Sequence, residues 1–367
     1  MRELSVLFIG ALPPPITGQS VACSALHQDF INKGYKVDVV NLSKESLVSG
    51  MTSFGRIIQI GRVLLDVASH LRGKNLVYFT PAESVAGNLK DLIIYALLFF
   101  FGKLPVTHIH MHGGAGMREI LSDKHPILKT LNHFFLKRLA GVIVLGERLV
   151  SIYEPFVDQN KISVVRNFAT DESFINYNEL KTKKINNGNF SIVYLSNLIK
   201  SKGYIDLLNA YLLLDKSRRE SIVIHFAGGF EDEEQKKEFL KKIEPLSNIH
   251  YHGIVKGDIK RELFATSDIF CLPTYYPYEG QPISILEAYA AGCAVLTTDH
   301  SGIYDVFTPG INGMEVKKND PESIRDAIVT LTEDSSLLRK YSVTNSRVAR
   351  TKYRLHHHLS NLRRVFE

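Results

Sequence analysis

The sequence contains no tryptophan and only three cysteines, and each shortage excludes something. Cys23, Cys271 and Cys293 are scattered and odd in number. They supply neither a disulfide framework nor the paired spacing of a zinc site, and they fit a reduced, cytosolic compartment. Long apolar runs are missing as well. The longest, Leu92 to Phe101, falls far short of the roughly 20 residues a membrane-spanning helix needs. Met1-Arg-Glu-Leu-Ser passes straight into Val6-Leu-Phe-Ile, which leaves no room for the apolar stretch and small-residue cleavage site of a signal peptide. The expectation is a cytoplasmic chain that is soluble or at most rests on a membrane. No basic recognition helix, zinc finger or aromatic-basic RNA motif occurs, so nucleic acid is not an expected partner. No Asp-x-Asp pair occurs either, and a metal-bridged diphosphate therefore has no visible ligands.

What is present is ordinary globular composition, with 45% hydrophobic and 22% charged residues over 367 positions. That length suits two or three domains at roughly 100–200 residues each. The net charge of +6 is unevenly placed: residues 1–170 hold 18 Lys and Arg against 12 Asp and Glu, and the remainder holds 26 of each. Such a basic first half suggests an anionic partner, either a lipid surface or a charged substrate.

Apolar, β-rich runs alternate with amphipathic stretches along the whole chain. The first half predicts strands at Leu4–Ile9, Lys36–Val40, Asn75–Thr80, Pro105–His112, Gly141–Leu145 and Ile162–Val165. The second half predicts them at Phe190–Ser196, Ile222–Ala227, Ile249–Gly253, Asp268–Pro273 and Ala294–Thr298. Several are continuous Val, Ile and Phe runs, as strands covered on both faces should be. Between them lie helical patterns such as Ser20–Lys33, Leu128–Leu139 and Pro321–Thr332. The repeated alternation predicts two doubly wound α/β units. A polar linker is read from Asn167 to Asn189, and the tail from Ser335 to Glu367 reads as helix. In open parallel sheets ligands bind beyond the carboxyl ends of strands, so the chemistry belongs in the loops that follow them.

One such loop begins Tyr278-Glu-Gly-Gln-Pro-Ile-Ser-Ile-Leu-Glu. Pro282 suits a first helical turn, the helix runs from about Ile283, and Gly292 closes it. Glu279 then precedes the helix and Glu287 lies within it. The amides near Gly280, Gln281, Pro282 and Ile283 form a helix start suited to a phosphate. Carboxylates beside such a site would grip hydroxyls, as on a sugar or ribose. The alternative is that Glu279 caps the helix and Glu287 faces water. A second cluster, His108-Ile-His-Met-His112, places three imidazoles on one strand face. Too few ligand types accompany them for zinc, and His108 and His110 read as structural. Gly10-Ala-Leu-Pro-Pro-Pro-Ile-Thr-Gly-Gln-Ser follows the first strand without the Gly-x-Gly-x-x-Gly spacing of a dinucleotide fingerprint. Gly18 and Gln19, just ahead of a helix near Ser20, would let backbone approach a phosphate or acceptor; otherwise the loop is a stiff connector. Glu231-Asp-Glu-Glu reads as a solvated helix start and His356-His-His as water-facing.

The Glu279–Glu287 segment resembles the Glu-x7-Glu signature of the retaining glycosyltransferases of family 4, which have the GT-B fold. Further matches follow in order: Asn167, Ser196-Asn-Leu-Ile-Lys-Ser-Lys-Gly, Ala227-Gly-Gly, His252-Gly, Asp268-Ile-Phe-Cys-Leu-Pro-Thr, and Ser301-Gly with Asn312-Gly. The resemblance implies two Rossmann-like domains facing across a cleft. Residues 1–166 would hold the acceptor, 167–345 the nucleotide sugar, and 346–367 would form a helix crossing back. It implies that Glu287 bonds ribose hydroxyls, that Glu279 and His112 contact the transferred sugar, and that Lys202 neutralises the diphosphate. Gly18 and Gln19 would meet both substrates. Asn197 departs from the family's usual Arg, and Lys200 is a candidate substitute. The implied activity is transfer of a hexosyl or N-acetylhexosaminyl group to a saccharide, lipid-linked acceptor in bacterial surface-polysaccharide synthesis, with UDP favoured over GDP and neither cofactor nor metal. A sugar-nucleotide epimerase and a non-catalytic nucleotide-sugar-binding protein remain open alternatives. Finally, the helix near Pro126 aligns Leu128, Leu131, Phe135 and Leu139 opposite Lys129, His133 and Lys137. That layout fits an anionic membrane surface, or else a face packed on the domain's own sheet.

Overall fold

A computed structural model describes residues 4–43, 53–183 and 189–367. Residues 1–3, and residues 184–188 of the expected linker, lie outside the described residues. The chain divides into two compact units, the first comprising 1–166, 277–281 and 358–367, the second 167–276 and 282–357.

The first unit is built on a six-stranded sheet of β1 (Ser5–Gly10), β2 (Lys36–Asn41), β3 (Leu76–Phe79), β4 (Thr107–His110), β5 (Gly141–Val144) and β6 (Ile162–Val164). Its order is β2-β1-β3-β4-β5-β6, and every pairing is parallel. The second unit repeats the scheme with β7 (Phe190–Leu195), β8 (Ile222–Ala227), β9 (Ile249–Tyr251), β10 (Ile269–Leu272), β11 (Ala294–Thr297) and β12 (Gly313–Glu315). Its order is β12-β11-β10-β7-β8-β9, again wholly parallel. Helices cover both faces of each sheet, which is why Val6 to Ile9 and Leu76 to Phe79 are buried along their whole length.

Several boundaries differ from the expectation, each for a local reason. The run Pro105–His112 yields a strand only from Thr107 to His110, because Leu104–Val106 forms a 3₁₀ turn; Pro105 has no N–H for a ladder and its fixed φ suits the turn. The first helix starts at Gly18 rather than near Ser20. Thr17 and Ser20 cap each other reciprocally, with N–H to hydroxyl distances of 3.1 and 2.9 Å, so Gly18 and Gln19 form its first turn. The expected linker also contains the helix Tyr177–Thr182, opened by an Asn176–Glu179 capping box. β12 was not foreseen. It is three residues long and depends on Gly313, whose φ is +155° and where a Cβ would lie 1.9 Å from the Val295 carbonyl oxygen.

The tail forms two helices, Ser335–Lys352 and Leu355–Phe366. Residues 346–357 stay with the second unit and 358–367 join the first. His356 is exposed, but His358 is only 2% exposed, against the water-facing reading. Helical spacing sets it on one side with Leu359, Leu362 and Phe366, and that side packs on Val6, Phe8, Phe30 and Tyr78. Among the described residues no helix is long and apolar enough to cross a membrane.

Candidate active site

In the second sheet the strand order reverses between β7 and β10, the position where an open parallel sheet leaves a crevice beyond its carboxyl ends. The loops at that point are drawn together by glycine. Gly203 has φ +79°, and a Cβ there would lie 2.5 Å from the Pro273 carbonyl oxygen, so the loop after β7 rests on the end of β10. The Tyr275 N–H donates to the Ser201 carbonyl at 2.7 Å and its hydroxyl to the Lys200 carbonyl at 3.2 Å. Gly228, at φ +144°, brings the turn after β8 within 1.9 Å of the Ser196 carbonyl oxygen, measured from the Cβ that glycine lacks. Lys202 emerges from this knot in a 3₁₀ turn, its ammonium 5.1 Å from the Tyr276 ring centre. The Asn197 carbonyl accepts from the Ile199 N–H at 2.9 Å and the Tyr194 hydroxyl at 3.2 Å, which fixes its backbone while the side chain stays partly open.

The helix after β10 spans Ile283–Ala290, with Pro282 as its N-cap and Gly292 at φ +66° beyond its end. Pro282 has no N–H, so the first amides the helix can offer are those of Ile283 and Ser284. Glu287 is 2% exposed, which overturns the solvated reading. Its Oε1 accepts from the Lys260 ammonium at 2.5 Å and from the Thr170 hydroxyl at 2.6 Å, and Lys260 also approaches Glu172 at 3.6 Å. A buried carboxylate needs such partners. Lys260 and Thr170 were missed in the sequence because only tertiary packing brings them to Glu287.

Glu279 clusters with the first unit, in the 277–281 segment. A Cβ at Gly280 would lie 2.0 Å from the His112 carbonyl oxygen and 3.1 Å from Gly113 Cα, so the segment lies directly on the turn that follows β4. The Gln281 amide donates to the Leu145 carbonyl at 2.9 Å and anchors it a second time. Glu279 itself is 7% exposed. His112 lies just past the strand, its ring 4.2 Å from that of His110. Its Nε2 is buried with no hydrogen-bond partner, a costly state that a ligand hydroxyl would relieve. Burial, reinforced by His358, holds the His112 pKa down at about 3, so its imidazole is neutral near pH 7. His110 shares a 2.8 Å hydrogen bond with the Tyr78 hydroxyl, and burial drives it well below its ordinary value. His358 donates from Nδ1 to the Arg166 carbonyl at 2.7 Å. Among the described residues no three His, Cys, Asp or Glu are arranged to hold a metal ion.

The first loop offers one more observation. A Cβ at Gly18 would meet no atom within 4 Å, so the chain's own packing does not require glycine there. Elsewhere Asp232 caps the solvated helix Glu233–Ile243, and that acidic run is accounted for by its fold.

Residues 177–347 match the family of glycosyl transferases group 1. The chain is 24% identical, over 73% of its length and 69% of the relative's, to an uncharacterized glycosyltransferase of Methanocaldococcus jannaschii. It is 26% identical, over 64% of its length and 62% of the relative's, to the UDP-Gal:alpha-D-GlcNAc-diphosphoundecaprenol alpha-1,3-galactosyltransferase of Escherichia coli. Its fold resembles that of Anabaena HepE in complex with UDP, with a TM-score of 0.70 at 15% identity over 98% of this chain and 99% of that one. The fold is GT-B, with two Rossmann-like units.

Proposed function

We propose that this chain, a glycosyltransferase with a group 1 domain over residues 177–347, transfers a hexosyl or N-acetylhexosaminyl group with retention of configuration. The donor is a nucleotide sugar, UDP-linked in preference to GDP-linked, and the acceptor is a lipid-linked saccharide of bacterial surface-glycan synthesis. The observation that carries the reading is the pair of features that follow the two strands at the second sheet's switch point. After β7 comes Lys202, a compact cation suited to a diphosphate; after β10 comes Glu287, a buried carboxylate suited to ribose hydroxyls. Names of relatives support the chemistry: one uses UDP-Gal and a diphosphoundecaprenol acceptor, and HepE binds UDP.

In this reading Lys202, with Asn197 and the helix start at Pro282–Ile283, holds the diphosphate. Gly280 and Gln281 seat the loop that carries Glu279, and Glu279 and the neutral His112 contact the transferred sugar. Gly18 and Gln19 offer backbone to the substrates. The bond from the anomeric carbon to the diphosphate breaks as the acceptor oxygen bonds on the same face, and the acceptor's proton passes to the leaving phosphate oxygen. The protein contributes positioning and charge stabilisation. No metal is expected to take part, since the sequence offers no Asp-x-Asp pair to bridge the diphosphate. Incubation with a panel of nucleotide sugars and lipid-linked saccharides tests the reading: an acceptor-dependent glycosidic product with retained configuration, formed in EDTA, is expected. An altered nucleotide sugar without acceptor would instead mark an epimerase, and binding without turnover a non-catalytic protein.

The protein works at the cytoplasmic side of an anionic membrane. The expected docking face is partly buried: Phe135 is 8% and Leu139 0% exposed, because both fill the core of the first unit. The open apolar surface is a different one. Ile127, Leu131 and Phe134 on the helix Pro126–Leu136 join Val85, Leu89, Ile93 and Phe100 on the helix Val85–Phe100. The Arg138 guanidinium lies 3.8 Å from the Phe134 ring centre, and the basic excess of residues 1–170 complements anionic headgroups at about 1 kcal/mol per basic group near the surface. Co-sedimentation with phosphatidylglycerol vesicles should be salt-sensitive and lost in Phe100→Asp. Equal pelleting with phosphatidylcholine, or none with either, refutes the docking and leaves the transferase reading intact.

A further inference from the structure

The first sheet also has a switch point, between β1 and β3, and the loop leaving β3 carries Glu83. The sequence motifs assign this residue no role. The short helix Ala115–Ile120 that follows His112 begins at Gly114, which supplies no side-chain cap, although the first amides of any helix need acceptors. The backbone N–H groups of Gly113, Gly114, Gly116 and Met117 instead face the Glu83 carboxyl. Space is tight enough to explain the glycines. A Cβ at Gly113 would lie 2.1 Å from Glu83 Oε1, and one at Gly116 would lie 2.3 Å from the Glu83 carbonyl oxygen and 2.9 Å from Tyr278 Cδ1. The His112–Gly116 turn is therefore wedged between Glu83 and the Tyr278–Gly280 segment, which rests on the His112 carbonyl. All these groups belong to the first unit.

We propose that Glu83 is a positioning residue: by capping the Gly113–Met117 amides it holds His112, and through His112 the loop bearing Glu279, in the geometry that sugar transfer requires. The role rests on the reading that His112 and Glu279 contact the transferred sugar. Burial pushes the Glu83 carboxyl up to about 8, so near neutrality it is mostly uncharged and a glutamine amide can replace it as an acceptor. Its Oε2 is buried without a hydrogen-bond partner among the described residues. Misplacing a reacting group by about 1 Å costs on the order of 10²-fold in rate.

Glu83→Ala and Glu83→Gln, compared with the wild-type full chain, test the proposal with two readouts. Amide hydrogen exchange over Gly113–Met117 should quicken at least tenfold in Glu83→Ala and stay unchanged in Glu83→Gln. Unchanged exchange in the alanine variant overturns the capping, whether or not the right substrates have been found. In transfer assays Glu83→Ala should lower kcat by about 10- to 100-fold with the donor KM within about twofold, while Glu83→Gln retains wild-type kcat within about threefold. A wild-type kcat in Glu83→Ala, or a donor KM that worsens as much as kcat, overturns the positioning. Where Glu83→Ala fails to fold, a tenfold loss of kcat in the folded glutamine variant does so. A wild type that transfers from no donor counts against the transferase reading, and the exchange data still decide the capping.

Discussion

Removing the Glu287 carboxylate should do two separable things. In Glu287→Ala the Lys260 ammonium, whose side chain is 14% exposed, loses its partner at 2.5 Å, and the Thr170 hydroxyl loses an acceptor at 2.6 Å. Breaking one side of a buried pair costs about 3–5 kcal/mol. Glu172, 44% exposed and 3.6 Å away, still offers Lys260 a weak partner, so the low end, about 3 kcal/mol, is expected. For a unit of this size that lowers the melting transition by ~6–12 °C. The second effect is on the ligand. A hydrogen bond to a charged group contributes about 1.5–3 kcal/mol, so UDP should bind ~10- to 150-fold more weakly. Adding Lys260→Met separates the two, because it removes the stranded cation and keeps an apolar stem of similar volume. Calorimetry should show the double variant regaining most of the melting temperature, and titration should show that it does not regain UDP. A double variant that binds UDP as wild type does would sink the ribose assignment. An unchanged melting temperature in the single variant would sink the ion pair.

Three other outcomes are expected. Gly280→Ala puts a Cβ 2.0 Å from the His112 carbonyl oxygen; neither backbone can yield, so a loss of about 1–3 kcal/mol in stability should accompany a fall in kcat, and a variant with unaltered melting and turnover would refute the packing argument. Asn197→Arg adds a planar fork of donors on a backbone already fixed by the Tyr194 hydroxyl and should tighten UDP binding; weaker binding by titration would mean that Asn197 reads a donor feature which Arg blocks. The pH dependence follows from the buried histidines. Folded pKa values near 3 for His112 and near 4 for His358 and His108 lie below the unfolded value of about 6.5. The native state thus binds fewer protons than the unfolded one from about pH 6.5 down to 4. Stability should fall as acid is added below 6.5, the three histidines outweighing the opposing proton of Glu83, whose folded value of about 8 lies above its unfolded one, and a melting temperature that stays flat from pH 7 to 5 would contradict the burial.

How far the sequence could be read depended on whether a feature was local. Ile222–Ala227 is a strand whose whole signal is contained in its own apolar run, and it forms over those residues. Gly292 announced the end of its helix, and its φ of +66° is the left-handed conformation such an end uses. Glu287 was legible as a residue but not in its surroundings, since Lys260 arrives from another helix and no spacing rule links the two. His358 was hidden for a different reason. Three consecutive histidines in a polar tail look solvated, and only the later Leu362 and Phe366 reveal which helical side is apolar. Glu83 left a trace only in its neighbours, the run Gly113-Gly-Ala-Gly, where the backbone gives way to something bulky that the sequence does not name.

The Glu279–Glu287 segment shows why one short motif carries so much, and it leads to a last prediction. Glu279 belongs to the first unit and Glu287 to the second, so each carboxylate is oriented by different neighbours. Glu287 is set by Lys260 and Thr170, whereas the loop of Glu279 is set by Gly280 on His112 and by the Gln281 amide on the Leu145 carbonyl at 2.9 Å. Gln281→Leu keeps the volume and removes that donor, leaving a buried carbonyl without its partner at a cost of about 1–3 kcal/mol. The loss falls on the anchor of Glu279 and not on Lys260, Thr170 or Lys202. If Glu279 contacts the transferred sugar as proposed, transfer should slow by about tenfold or more, since a modest displacement of such a group is expensive in rate, while the dissociation constant for UDP stays within about twofold of wild type. Steady-state kinetics and UDP titration on the same preparation decide the matter. If UDP affinity falls in step with kcat, Gln281 belongs to the nucleotide site itself, and the separate control of the two carboxylates is wrong.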